Sequence, residues 1–123
     1  MPSAGNLFRS ALSQDAGERF DTLVEQGDVT IERIVSTGQA SPPGFWYDSP
    51  RDEWVVLLSG AAGLEFEGNA QLHVLQPGDH VLIEAHCRHR VAWTHETEPS
   101  VWLAVYYPAG SRSVSPVQEA ELE

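Results

Sequence analysis

DSPRDEWVVLLSG, residues 48–60, decides how this chain folds. Within it, EWVVLLS (53–59) is a continuous apolar run rich in β-branched side chains, bounded by Arg51-Asp52 and by Gly60. A run so short and so apolar reads as a buried strand. Working outward, AGLEFE (62–67) alternates, and Gly68-Asn69 signals a hairpin turn. Residues 71–75 alternate again. Gln76-Pro77-Gly78-Asp79 then forms a tight turn, with Pro suited to its second position and Gly supplying positive φ at its third. Further strands follow at 80–84, 90–94 and 101–107, the last two joined by the acidic turn HETEPS. Upstream, VTIERIV (29–35) sets Val29 and Ile31 on one face. Between it and the central run lies STGQASPPGFWYD (36–48), a long ordered loop of the kind that rims a site.

About eight short strands punctuated by Gly and Pro, with no helix-length amphipathic segment between residues 29 and 107, define an all-β barrel or sandwich. The chain of 123 residues is long enough for one domain with one core. Its expected organisation is an N-terminal extension at 1–22 packing on the barrel, a barrel at 23–110 and a flexible tail at 111–123. A short helical turn is read near 7–12.

The hydrophobic fraction of 41% belongs to a globular chain, and no apolar run approaches the length of a membrane span. The opening residues lack the basic and apolar regions of a signal peptide. The lone Cys87 cannot form an internal disulfide, so a cytoplasmic, reducing location is expected. Seven basic against 18 acidic residues give a net charge of −11. That balance, with no Lys/Arg stripe, argues against nucleic acid as a partner.

Glu53 followed by six residues and Gly60, the Pro77-Gly78-Asp79 turn, and His89 closing the next turn resemble the two motifs of the cupin superfamily. The resemblance spans roughly residues 29–107 and is strongest to small single-domain bacterial cupins. It implies a double-stranded β-helix (jelly-roll) barrel. It also implies one divalent transition metal ion, because metal-binding cupins place two histidines and a glutamate in the first motif and a histidine in the second. In this chain Glu53 and His89 fall on the glutamate and the last histidine, while Trp46 and Asp48 fall on the first two. Trp46 cannot ligate a metal, since its indole N–H only donates. Glu84 stands where proline is usual and His86 where a turn glycine is usual. The implied ligand set is therefore Asp48, Glu53 and His89, with His86 as a fourth or outer ligand. Two carboxylates and an imidazole suit Fe, Mn, Zn or Ni with open positions that could polarise a substrate oxygen.

Each residue also has a structural reading. Glu53 could turn outward to pair with Arg51 or Arg90, Asp48 could serve an ordinary Asp-Ser-Pro turn, and His86 could be a solvated rim residue. Trp46 and Tyr47 are expected as an apolar pocket wall, and Arg90 as a partner for Glu53 or for a ligand carboxylate. His73, His80 and His95 cluster with nothing and are read as surface or packing residues.

Two functions follow: a metal-dependent cupin acting on a small organic molecule, or a metal-free ligand-binding barrel with an aromatic pocket. A homodimer is expected, because an open sheet edge near residues 29–35 needs covering.

Overall fold

Two antiparallel sheets wrap into a barrel in the computed structural model, which describes residues 2–9 and 17–110. Eight strands follow one another: β1 (Arg19–Gln26), β2 (Val29–Ser36), β3 (Arg51–Ser59), β4 (Ala62–Phe66), β5 (His73–Leu75), β6 (His80–Ile83), β7 (His89–Thr94) and β8 (Ser100–Pro108). The larger sheet runs β1-β2-β8-β3-β6 and the smaller β5-β4-β7. β3, the run that decides the fold, lies between β8 and β6, with Glu53 opposite Tyr106 on one side and Ile83 on the other. Burial on both faces explains its unbroken hydrophobicity.

The core fills the space between the sheets with Val55, Leu57, Ala62, Leu64, Leu75, Ile83, Trp102 and Ala104. The period of two along each strand sorts the rest. On β3, Glu53, Val55 and Leu57 point inward; Asp52 points out, where it is buried and accepts from the backbone N–H groups of Ala85 (2.8 Å) and Gly110 (3.3 Å). Trp54, also outward, stacks on His80 with ring centroids 5.5 Å apart.

The long loop is ordered and acts as a rim. Ser41 N–H donates to the Val91 carbonyl, and Tyr47 pairs with His89 through both backbone bonds, at 2.7 and 3.2 Å. The loop backbone thereby extends the small sheet past β7.

The N-terminal part differs from the sequence reading. β1 starts at Arg19, so the boundary drawn after residue 22 falls inside a strand that pairs with β2 from Arg19↔Val35 to Gln26↔Val29. The segment RFDTLVEQ is mixed in polarity because most of β1 is exposed at the sheet edge, which hides it from pattern reading. Residues 7–9 form a turn; the remainder of the helical turn read at 7–12, and the whole tail at 111–123, lie outside the described residues. That turn is pinned to the outer face of the large sheet by Arg33, whose guanidinium donates to the carbonyls of Leu7 (3.0 Å) and Arg9 (2.8 Å) and to Asp21.

Candidate site in the barrel mouth

Glu53 comes from the large sheet and His89 from the small one, and both point into the barrel mouth. Glu53 Oε1 and His89 Nε2 stand 3.7 Å apart, with side chains only 12% and 8% exposed. His89 Nδ1 lies 2.9 Å from the Cys87 carbonyl. A carbonyl only accepts, so Nδ1 carries the proton and the neutral ring turns its Nε2 lone pair toward Glu53. Burial lowers the His89 pKa against the opposing pull of that carbonyl, keeping the ring neutral. Burial pushes Glu53 up to about 7; the charge of Glu32 adds to the rise and a hydrogen bond from Tyr106 opposes it.

The two side chains line a cavity of about 160 Å³. Its walls combine carboxylates (Glu18, Asp48, Glu53) with the rings of Phe20, Tyr47, Trp102 and Tyr106 over an aliphatic floor. Tyr47 stacks on His89, with ring centroids 5.5 Å apart and planes at 28°, and takes the edge of Phe45 at 4.8 Å. Trp102 donates its indole N–H to Ser36 Oγ at 3.2 Å, and that hydroxyl donates to Glu18 at 2.6 Å. Tyr106 O–H lies 3.5 Å from Glu32 Oε1. Burial first, and then the charges of Glu53 and Glu32, drive the Tyr106 phenol far above its ordinary pKa, so it stays protonated. Tyr47 is shifted upward in the same way, chiefly by burial.

The expected ligand set is not gathered at one point. Asp48 lines the cavity, but Asp48 Oδ1 lies 2.8 Å from His86 Nδ1 on the exposed rim. His86 adopts a positive φ of 65°, the only non-glycine to do so among the described residues, and its N–H donates to the Ser49 carbonyl. It thus takes the left-handed turn geometry for which glycine is the default residue. The Cys87 thiol is exposed. Among the described residues no group of three or more His, Cys, Asp or Glu side chains could hold a metal ion. Glu53 and His89 supply two donors, where a zinc-type site takes at least three from the protein. The side chains, as arranged, do not fit a resident metal.

Two expected pocket contributors lie elsewhere. Arg90 is one residue from inward-facing His89, so strand alternation sends it to the other face, where it pairs with Glu65 at 2.9 Å and donates to the Ser41 carbonyl. Glu53 therefore pairs with neither Arg90 nor Arg51. The Arg51 guanidinium donates to Thr30 Oγ1 (2.9 Å) and the Asp28 carbonyl (3.2 Å) and lies over the Tyr106 ring. Trp46 is half-buried and is not part of the cavity wall; its neighbour Tyr47, on the other side of the extended backbone, is. Conversely, sequence reasoning left Glu18 in an N-terminal extension and did not single out Tyr106. The alternation Trp102-Ala104-Tyr106 could have brought Tyr106 to the site; Glu18 carried no such signal.

This double-sheet barrel, with a site at its mouth, is the architecture of the double-stranded β-helix. Residues 32–106 match the family described as the cupin domain, and the chain belongs to that family. It is similar to a candidate mannose-6-phosphate isomerase of Ralstonia eutropha JMP134, at 56% identity over 88% of this chain and all of that one, with a TM-score of 0.85. A cupin superfamily protein of Desulfitobacterium hafniense DCB-2 (17% identity, 88% and 94% covered, TM-score 0.68) shares the fold. So does a Methanocaldococcus jannaschii cupin with a double-stranded β-helix (19% identity, 80% and 87% covered, TM-score 0.64). No curated protein matches the chain.

Proposed function

We propose that this chain is a cupin that binds a small organic molecule in its barrel mouth, in a site finished by its own side chains without a resident metal ion. The observation that carries this reading is the cavity itself: about 160 Å³, lined by Glu53, His89 and aromatic rings. Such a pocket, mostly apolar with a few convergent polar groups, suits a small ligand. In it a neutral His89 can accept a proton at Nε2, and Glu53, titrating at about 7, can hold a proton or release it. The name of the Ralstonia relative suggests a sugar phosphate. A phosphate group calls for Arg or Lys, and among the described residues no Lys or Arg lines this cavity.

A second reading, a divalent ion that polarises a substrate oxygen, is favoured by one observation. His89 is oriented as metal-bound histidines are, with Nδ1 donating to a carbonyl and Nε2 free. Glu53 and His89 would then be two of the ligands. Metal analysis by mass spectrometry after reconstitution with Fe, Mn, Zn or Ni decides between the two. The expected result is well below stoichiometric metal in the wild type. Near-stoichiometric metal, lost in both Glu53→Ala and His89→Ala, would replace the first reading with the second.

The proposal also places the protein in a reducing compartment, in keeping with a single exposed cysteine, and pairs two copies through β1. Among the described residues no helix is long and apolar enough to cross a membrane.

A further inference from the structure

The charge of the cavity wall is one-sided. Among the described residues three carboxyl groups line it, from Glu18, Asp48 and Glu53, and no lysine or arginine does. The guanidiniums near the site are committed elsewhere: Arg51 to Thr30 and the Asp28 carbonyl, Arg90 to Glu65 and the Ser41 carbonyl. Glu32, beside Tyr106, adds a further carboxyl just behind the wall, and Arg51 offsets it in part. The remaining wall is aromatic, and the faces of Trp, Tyr and Phe rings attract cations through their quadrupoles. Tyr106 already carries one such contact, with the Arg51 guanidinium carbon 5.1 Å from its ring centroid. Carboxylates interleaved with rings, in a chain of net charge −11, form an environment that draws organic cations and repels anions.

Size narrows the class. A cavity of about 160 Å³ is on the scale of the roughly 150 Å³ apolar cavity that holds benzene. It suits a compact molecule of about six to nine non-hydrogen atoms. A phosphate monoester carries the wrong charge for this wall.

We infer that the cavity selects a small organic cation, an alkylammonium or quaternary ammonium group seated among the Glu18, Asp48 and Glu53 carboxylates with its carbon surface against Tyr47 and Trp102. The inference rests on the small-molecule reading above and names its ligand class.

Three probes test it by isothermal titration calorimetry at pH 7.5: choline, its size-matched neutral isostere 3,3-dimethyl-1-butanol, and inorganic phosphate. Choline is expected to bind at least tenfold tighter than the isostere, and phosphate not to bind. Glu18→Gln should weaken choline threefold to tenfold and leave the isostere unchanged. Glu67→Gln, which removes the same charge from an exposed pair with Arg88 outside the cavity lining, should alter neither. Thermal melting of both variants confirms that they fold. Equal or tighter binding of the isostere, or any saturable phosphate binding, overturns charge selection and leaves the small-molecule reading standing. Equal weakening by Glu18→Gln and Glu67→Gln would also overturn it, since bulk charge would then be the cause. Failure of all three probes to bind folded protein overturns the inference and the small-molecule reading together.

Discussion

Glu53 is where burial and charge oppose each other most directly. Its carboxyl titrates at about 7 in the fold, against an ordinary value of 4.5, chiefly because burial penalises the ionised form. Between those two pH values the folded protein holds a proton that the unfolded chain has released, so this group's contribution to stability falls as pH rises through the window. Over the full interval the loss is on the order of 3 kcal/mol. His89 works in the opposite sense. Burial lowers its pKa, so the unfolded chain takes up a proton near pH 6.5 that the folded ring refuses, and stability falls as pH drops below that value. Glu53→Gln removes the first effect and keeps the second. The variant and the wild type should melt together at pH 4, below both values, where both carry the His89 penalty and position 53 is largely uncharged in folded and unfolded chains alike. At pH 8.5 the variant should melt higher by roughly 5–15 °C. A wild type that melts higher at pH 8.5 would mean that the barrel stabilises the ionised carboxylate, contrary to the burial argument.

At the level of elements, the motif glycine after β3 has a direct physical reason. Gly60 has φ of +85°, and a Cβ there would lie 2.6 Å from Ser100 Cα and 2.8 Å from the Pro99 carbonyl oxygen. The β3–β4 turn packs so closely against the start of β8 that neither partner can yield, since both are backbone. Ser100 completes the contact, its hydroxyl donating to the Ala61 carbonyl at 3.0 Å. Gly60→Ala should therefore cost about 2–4 kcal/mol, from the left-handed backbone and the clash together. Urea unfolding measures it, and a cost under about 0.5 kcal/mol would contradict this packing. The glycine was legible in the sequence because it ends an apolar run, and seven strands were legible for the same kind of local reason. β1 was not, being a mixed-polarity edge strand. Nor was the long-range register that sets Glu53 opposite Tyr106, since no local pattern encodes which strand pairs with which. Arg90 shows how sharply this matters: one step along β7 from His89 reverses the face, and an expected site residue becomes the partner of Glu65.

For the whole molecule, the large sheet ends at β6 on one side and at β1 on the other. Along β1, Phe20, Leu23 and Val24 are each 45–51% exposed, an unusual concentration of apolar surface on a strand edge that can still pair. The edge is held firmly rather than loosely. Asp21 is ion-paired to Arg33 and Arg19; desolvation works to raise its pKa, but the hydrogen bonds and charges of the two arginines outweigh it and hold it below the ordinary value. Arg33 in turn clamps the turn at residues 7–9 over the outer face. An apolar edge that pairs with no further strand among the described residues is the surface that a second copy would cover, and Phe20 places that edge at the wall of the cavity. Sedimentation velocity should therefore give a particle of twice the 13.5 kDa chain mass at micromolar concentration. Val24→Lys, which places a charge on the exposed edge while leaving the cavity wall untouched, should return the monomer with its melting temperature changed by only a few degrees. A wild type that sediments as a monomer at the highest concentrations would remove the second copy from the description and leave the β1 edge bare.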